Sequence, residues 1–332
     1  MPTRRHLLAL PAPLLAAPLL AALVLPHRLA RAQAGWVPDR PLRMVAPFPP
    51  GGASDLVARM VAEELGMALG QPIQVENRSG AGGALGTEAV VRARADELTL
   101  LMGSQATHAT NPALQKLPFD PMADLAVVAG VCGVPAVLVV HPSVPAGTIQ
   151  DLVALARAQP GGIRYGSAGI GASTHLAAAL FAHLAGIELT HVPYRGTAPA
   201  TQDLLAGRIE MMTDTLPTSL PHIQAGRFRA LGVSTIARSP SLPAVPTIAE
   251  AVPGDEALNW YAAYAPAGTP EPALPRVHAT FAEAVARPRF QERLAQQGML
   301  PLAGTRAEIS AYAAADRRRW TDLVLAANIK AD

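Results

Sequence analysis

The sequence predicts an α/β protein of two lobes, each a mostly parallel sheet flanked by helices. Three observations carry this. Short β-rich apolar runs alternate with amphipathic helical segments, the pattern of strand–helix–strand units. The alternation runs through two successive blocks of the 332-residue chain, a length that at ~150 residues per domain suits two units. Glycine-rich loops repeatedly join a strand to the start of a helix. The 32 prolines argue against a coiled coil or helical bundle. The single cysteine, Cys132, excludes an intramolecular disulfide framework and a Cys-cluster metal site; it reads as a small core residue. A net charge of +2 and 4% aromatic residues leave no nucleic-acid footprint.

In the first block, Leu42–Phe48 reads as a strand and Asp55–Leu69 as a helix, with Leu56, Val57, Met60, Val61 and Leu65 on one face. Pro72–Asn77 is the next strand, Gly86–Ala95 a helix and Leu98–Met102 a strand. The apolar stretch Leu125–Val140 is punctuated by Gly130, Gly133 and Pro135, which predicts two strands rather than one helix. In the second block, the helix Ile149–Gln159 precedes the strand Ile163–Ser167, and the helix Thr174–Ala185 ends at Gly186. Leu189–Tyr194, Ile209–Thr213 and Arg229–Thr235 read as strands, separated by helices at Ala198–Ala206 and near Ser219–Ala225. A proline-rich connection, Ser239–Pro246, leads to the strand Leu258–Ala265. Helices follow at Ala273–Ala286, Pro288–Gln297 and Arg306–Ala327, the last with Ile309, Trp320, Leu323 and Val324 on one face.

Residues 1–34 hold four arginines and no acid, a long Leu/Ala/Pro run from Leu7 to Leu25, and a small-x-small end at Ala32-Gln33-Ala34. That order predicts a cleaved secretory signal peptide, and Arg4-Arg5 permits the twin-arginine route as well as the general one. Its removal takes the basic count from 27 to 23 against 25 acidic residues, a formal charge of −2. Such a surface gives no reason to expect polyanion or membrane-surface binding, and the mature protein is expected to be soluble and extracytoplasmic.

Ligands of open α/β sheets sit beyond the carboxyl ends of the strands. Two loops there are built for an anion. Pro47–Asp55 combines stiffening prolines with Gly51 and Gly52, and Ser54 and Asp55 can cap the following helix. Tyr165–His175 brings Gly169 and Gly171 together with Ser167, Ser173 and Thr174 before another helix. Helix N-termini carry unpaired N–H groups and about half a positive charge. Two of them in opposite lobes can grip a small organic acid, each hydrogen bond to a charged group netting ~1.5–3 kcal/mol. A third loop, Ser79–Gly86, lacks the third glycine of a dinucleotide fingerprint. There is no Walker lysine motif, His-Glu-x-x-His or Gly-x-Ser-x-Gly elbow. His175, His183 and His191 suit helix-face or loop roles rather than metal ligation. Asp214 either caps the following turn or points into the cleft, and Trp260 and Tyr261 suit core and ligand platform equally. No cofactor, metal or catalytic residue is expected.

Several segments, in order, resemble the tripartite tricarboxylate transporter substrate-binding proteins, also called the Bordetella uptake gene family. They are Pro47–Asp55 with Ala58-Arg59, Gly70-Gln71-Pro72, Val75–Arg78, Gly80–Gly83, Leu100–Ser104, Asn111-Pro112, Val139–Pro142, His191–Gly196, Leu220–Ile223 and Ala265–Pro270. Each alone is weak, but together they span nearly the whole mature chain. The resemblance implies a two-lobe, type II-like periplasmic binding protein that closes around a carboxylate and delivers it to integral membrane transporter subunits. It implies lobe 1 from 35–140 plus 258–332, lobe 2 from 141–240, and a proline-rich return crossover at 241–257. Carried over residue by residue, it implies ligand contacts at Phe48, Gly52, Ala53, Ser54, Asp55, Ser104, Ser167, Gly169, Ala172, Ser173, Asp214 and Thr215. The chain departs from the family pattern at Thr215, where Asn is usual, at Glu97-Leu98 and at Ala262.

The expected function is therefore capture of a small organic carboxylate by a monomeric, non-enzymatic solute-binding protein. A sensor subunit that presents the ligand to a receptor is the first rival. A secreted hydrolase is the second; it would need Ser173 and His175 to pair, yet residues two apart at a helix start do not face each other.

Overall fold

The computed structural model describes residues 38, 40–96, 98–270, 274–326 and 329. The expected signal peptide (1–34) and the Glu97 departure lie outside the described residues.

Apolar runs with few polar interruptions become strands buried on both faces. The first is β1 (Leu42–Ala46), which pairs in parallel with β2 (Ile73–Asn77) and β3 (Thr99–Ser104). Between them run α1 (Ala53–Leu69) and α2 (Ala84–Val91). A π-helical turn, Ala106–Thr110, and the short α3 (Asn111–Leu114) follow β3. Next comes β4 (Leu125–Val140), then α4 (Ile149–Ala158), β5 (Arg164–Ser167), α5 (Ser173–Ala185) and β6 (Thr190–Pro193). After α6 (Thr197–Leu205) come β7 (Met211–Thr215), α7 (Leu216–Gln224) and β8 (Arg229–Val233). The chain returns through β9 (Leu258–Pro266), α8 (Leu274–Ala286), α9 (Pro288–Gln296), β10 (Leu300–Pro301) and α10 (Arg306–Ala326).

The strand order is β2-β1-β3-β9-β4-β7-β5-β6, with β8 and β10 also pairing β4. The parallel sets β2-β1-β3 and β6-β5-β7 are those the alternation predicts. β4 and β9 add antiparallel pairs between them. The stretch 125–140 is not two strands but one of 16 residues. Its first part pairs β9, Ala136–Val140 pairs β7, and Val137–Val140 pairs β8. Gly130 sits at a register shift, and a Cβ there would run into the Leu302 carbonyl and the Ile309 side chain. Its glycine marks a bulge and a close approach rather than a break.

Each sheet region is covered on both sides. Phe181 of α5 packs with Leu152, Tyr165 and Met211, while Leu204, Met212 and Leu216 fill the opposite face. Trp260, Tyr264 and Leu101 pack with Ile309 and Ala313 of α10. Full burial of one such side chain contributes ~1.5–3 kcal/mol. The buried face of α10 is Ile309, Ala313, Asp316, Trp320 and Val324, and Asp316 Oδ2 accepts from Trp260 Nε1 at 2.7 Å. Among the described residues, no helix is long and apolar enough to cross a membrane.

α4 starts with a reciprocal cap: Asp151 N donates to Thr148 Oγ1 at 3.1 Å and Thr148 N donates to Asp151 Oδ2 at 2.9 Å. Thr148→Ala should cost about 1 kcal/mol of stability, and denaturant unfolding with an unchanged slope and a lowered midpoint would report it.

Candidate functional site

The β1–α1 loop is braced from behind. Asp55 accepts from Gly51 N at 3.1 Å, Arg59 Nε at 2.9 Å and Asn77 Nδ2 at 3.0 Å, while Asn77 Nδ2 also donates to the Phe48 carbonyl at 3.1 Å. Burial alone would raise the Asp55 pKa, but the bonds from Arg59, Gly51 and Asn77 outweigh it and hold the carboxyl below its ordinary range. The loop delivers Gly52 to the N-cap of α1 with no side-chain cap, so the first-turn amides stay available.

The β5–α5 loop is braced differently. The Ser167 hydroxyl lies 2.6 Å from His191 Nε2 and accepts from Gly169 N at 3.1 Å. Gly171 N donates to His175 Nδ1 at 3.2 Å, and Ala168 N to Thr174 Oγ1 at 2.9 Å. The rings of His175 and His191 stack at 4.1 Å, with Tyr165 on His191 at 4.8 Å. Burial pushes His175 down to about 3 and His191 down to about 4, so both are neutral wedges under the loop. Among the described residues, no cluster of three or more His, Cys, Asp or Glu could hold a metal. Ala172, the N-cap of α5, also lacks a side-chain cap.

These two helix starts face one chamber of about 40 Å³. Gly52, Ala53 and Ser54 line it from one side and Ala172, Ser173 and Thr174 from the other. Two further uncapped helix starts reach the same chamber, Gly196-Thr197 of α6 and Thr215 of α7. Phe48 lies on the wall, and Asn259 and Tyr261 of β9 complete it. The Asn259 amide donates to Tyr261 Oη at 2.8 Å. Ser54 Oγ and Asn259 Oδ1 are buried without a hydrogen-bond partner among the described residues. The two halves meet here: Thr110 Oγ1 donates to the Gly171 carbonyl at 3.1 Å, and a Cβ at Gly196 would lie 3.0 Å from Pro49 Cγ. An outer groove of about 640 Å³ shares Phe48, Pro49, Ala168 and Gly196 with the chamber and is lined further by Ser79–Gly83, Gly169 and Arg195.

Of the residues singled out in the sequence, Phe48, Gly52, Ala53, Ser54, Ala172, Ser173 and Thr215 line the chamber, and Gly169 lines the groove. Asp55, Ser104, Ser167 and Asp214 line neither cavity. Asp55 and Ser167 brace the loops. Asp214 accepts from Thr218 Oγ1 at 2.6 Å and Ser219 Oγ at 2.7 Å, so it braces the start of α7, and burial raises its pKa. Ser104 is buried opposite Tyr261 in the β3–β9 register, its hydroxyl unpaired among the described residues. Trp260 belongs to the core and Tyr261 to the chamber, as strand alternation requires once the facing side is known. Thr174, already read in the Tyr165–His175 loop, lines the chamber as well; sequence reasoning missed Asn259, Gly196 and Thr197 as chamber residues. The Gly196-Thr197 step after the β6 strand was the signal that could have found the last two.

The family model described as the tripartite tricarboxylate transporter family receptor (TctC) matches residues 57–329. Protein BugT of Bordetella pertussis is 36% identical over 298 residues, covering 89% of this chain and 91% of its own. The structure titled R. palustris Rpa4515 with adipate superposes with a TM-score of 0.85 at 35% identity, covering 88% of this chain and 99% of that one. MatC (Rpa3494) from Rhodopseudomonas palustris with bound malate superposes with a TM-score of 0.82 at 31% identity, covering 86% and 99%. The chain belongs to the tripartite tricarboxylate transporter receptor family, the TctC or Bug group of periplasmic solute-binding proteins.

Proposed function

We propose that this protein captures a small organic carboxylate between two lobes and delivers it to the membrane subunits of a tripartite tricarboxylate-type transporter. The single observation that carries the reading is the chamber itself, where four helix N-termini without side-chain caps converge from both halves of the molecule. Such ends favour anions through the helix dipole and their free first-turn amides, fewer in α6 and α7 where Pro199 and Pro217 carry no N–H. Among the described residues no acidic or basic side chain lines the chamber, and these donors with the hydroxyls of Ser54, Ser173 and Thr174 define its chemistry. The adipate and malate held by the two relatives support a carboxylate as the ligand.

In this reading the lobes are 35–140 with 258–332 and 141–240, and the crossings near 140 and at 241–257 absorb the rotation that closes them. Residues 1–34 direct export and are removed, and the protein works as a monomer in the periplasm. It acts by binding rather than catalysis: His175 Nδ1 is engaged by Gly171 N rather than by the Ser173 hydroxyl.

Thermal unfolding with mono-, di- and tricarboxylates tests the reading. A cognate acid at ~100-fold above its Kd adds about 2.7 kcal/mol to the native state, which should raise Tm by roughly 5–10 °C. An unchanged midpoint with every acid would defeat it.

A further inference from the structure

We propose that Thr110 is a latch between the lobes, a positioning residue that sets how long a bound acid is held. This rests on the reading that 35–140 with 258–332 and 141–240 close around a carboxylate. Thr110 is fully buried, and its hydroxyl donates to the Gly171 carbonyl of the opposite lobe at 3.1 Å. The same hydroxyl reaches the Ala106 carbonyl of its own turn at 3.2 Å. Thr110 lines neither the chamber nor the outer groove, so it acts without touching the ligand.

Both ends of the bond are held firmly. On one side, Thr107 Oγ1 of the π-helical turn accepts from Ser104 N at 2.9 Å and lies 2.9 Å from His108 Nδ1. The His108 ring in turn stacks on Tyr264 of β9 at 3.8 Å. On the other side, Gly171 N donates to His175 Nδ1 at 3.2 Å, and His175 stacks on His191 at 4.1 Å. The approach leaves no room for a side chain at 171: a Cβ there would lie 2.9 Å from Oδ1 of Asn111, the neighbour of Thr110. Two stiff partners of this kind meet at one relative orientation of the lobes. Gly171 directly precedes Ala172, the N-cap of α5, so that orientation sets the α5 amides against the chamber. When the lobes part, water reaches both the hydroxyl and the carbonyl. The bond therefore favours the closed form over the open one, and its loss lowers the closed population and raises the apparent Kd by the same factor. The Ala106 carbonyl keeps a second donor in Asn111 N, so Gly171 is the partner that the latch leaves unpaired when it is removed.

Stopped-flow kinetics and calorimetry on the mature chain with adipate, malate and citrate test this. Thr110→Val keeps the shape and removes the donor. It should raise the off-rate and the Kd about tenfold, the effect of one buried acceptor left unpaired. The factor should be the same for each acid that binds, because the latch touches none of them. The on-rate and the ligand-free Tm should stay as in the wild type, and Thr110→Ser should retain tight binding. A wild-type off-rate in Thr110→Val, a loss that differs between acids, or a loss that arises in the on-rate overturns the latch and leaves the carboxylate reading standing. A loss of affinity that comes with a lower ligand-free Tm and is not recovered by serine makes Thr110 a packing residue and overturns it equally. Failure of all three acids to bind wild-type protein that is folded by its melting profile overturns both.

Discussion

Ser54→Ala should weaken carboxylate binding by roughly 10- to 100-fold and leave the Tm of the unliganded protein unchanged or raised. The Ser54 hydroxyl is buried on the chamber wall at the start of α1, and it has no hydrogen-bond partner among the described residues. A hydroxyl placed this way is an unmet donor whose desolvation the fold already bears. A bound carboxylate supplies the acceptor, and a hydrogen bond to a charged group nets ~1.5–3 kcal/mol, which converts to that range of affinity. Alanine removes both the donor and the unmet group, so affinity falls while the empty protein is not penalised. This opposition of signs distinguishes a ligand contact from a structural hydroxyl. Calorimetry and thermal unfolding on the same preparation read both. Wild-type affinity, or a fall in Tm of several degrees without ligand, would assign Ser54 a packing role instead.

The two loops that end at Ser54 and Ser173 were legible because their chemistry is local. A strand, glycines that open the backbone and a polar residue at a helix start are all contained within ten residues. What was not legible depends on pairing between distant segments. Gly130 and Gly133 read as strand breaks, because nothing nearby shows that β9 will run alongside, with a register shift at Gly130 and the Leu258 side chain packed against Gly133. Asn259 and Tyr261 enter the chamber because β9 lies between β3 and β4 with a particular face turned inward, a choice alternation leaves twofold ambiguous. The spacing of His175 and His191 looked incidental. It places one ring at the start of α5 and the other on β6, and the parallel β5–β6 pairing stacks them under the loop. Asp214 shows the converse: its two possible roles were both local, and two hydroxyls of α7 decide between them.

The crossover that returns the chain from β8 to β9 carries a second large effect, set by pH. Ser234 ties the crossings together, its hydroxyl donating to the Ala257 carbonyl at 2.5 Å and accepting from Ala136 N at 2.9 Å. Asp255 lies two residues before Ala257, is 1% exposed, and has Oδ2 without a partner among the described residues. Burial pushes its carboxyl up to about 7, with Arg319 pulling weakly the other way. Because the folded pKa exceeds the unfolded value of 3.8, the native state binds this proton more tightly. The stability it contributes is full below pH 3.8, falls as pH rises toward 7, and is gone above it. At about 1.4 kcal/mol per unit the span is up to about 4 kcal/mol. Asp255→Asn keeps the shape and removes the charge, so it should raise Tm by roughly 5–10 °C at pH 8 and change it little at pH 4. The buried His108, His175 and His191, shifted down to about 3, 3 and 4, act in the opposite sense and lose stability as pH falls below 6.5. The Asp255 contribution is therefore read as the difference between variant and wild type at each pH, in which the histidines cancel. A difference that is flat from pH 4 to 8 would mean that Asp255 stays ionised in the folded protein, and that the crossover between the two sheet regions carries a charge it can solvate.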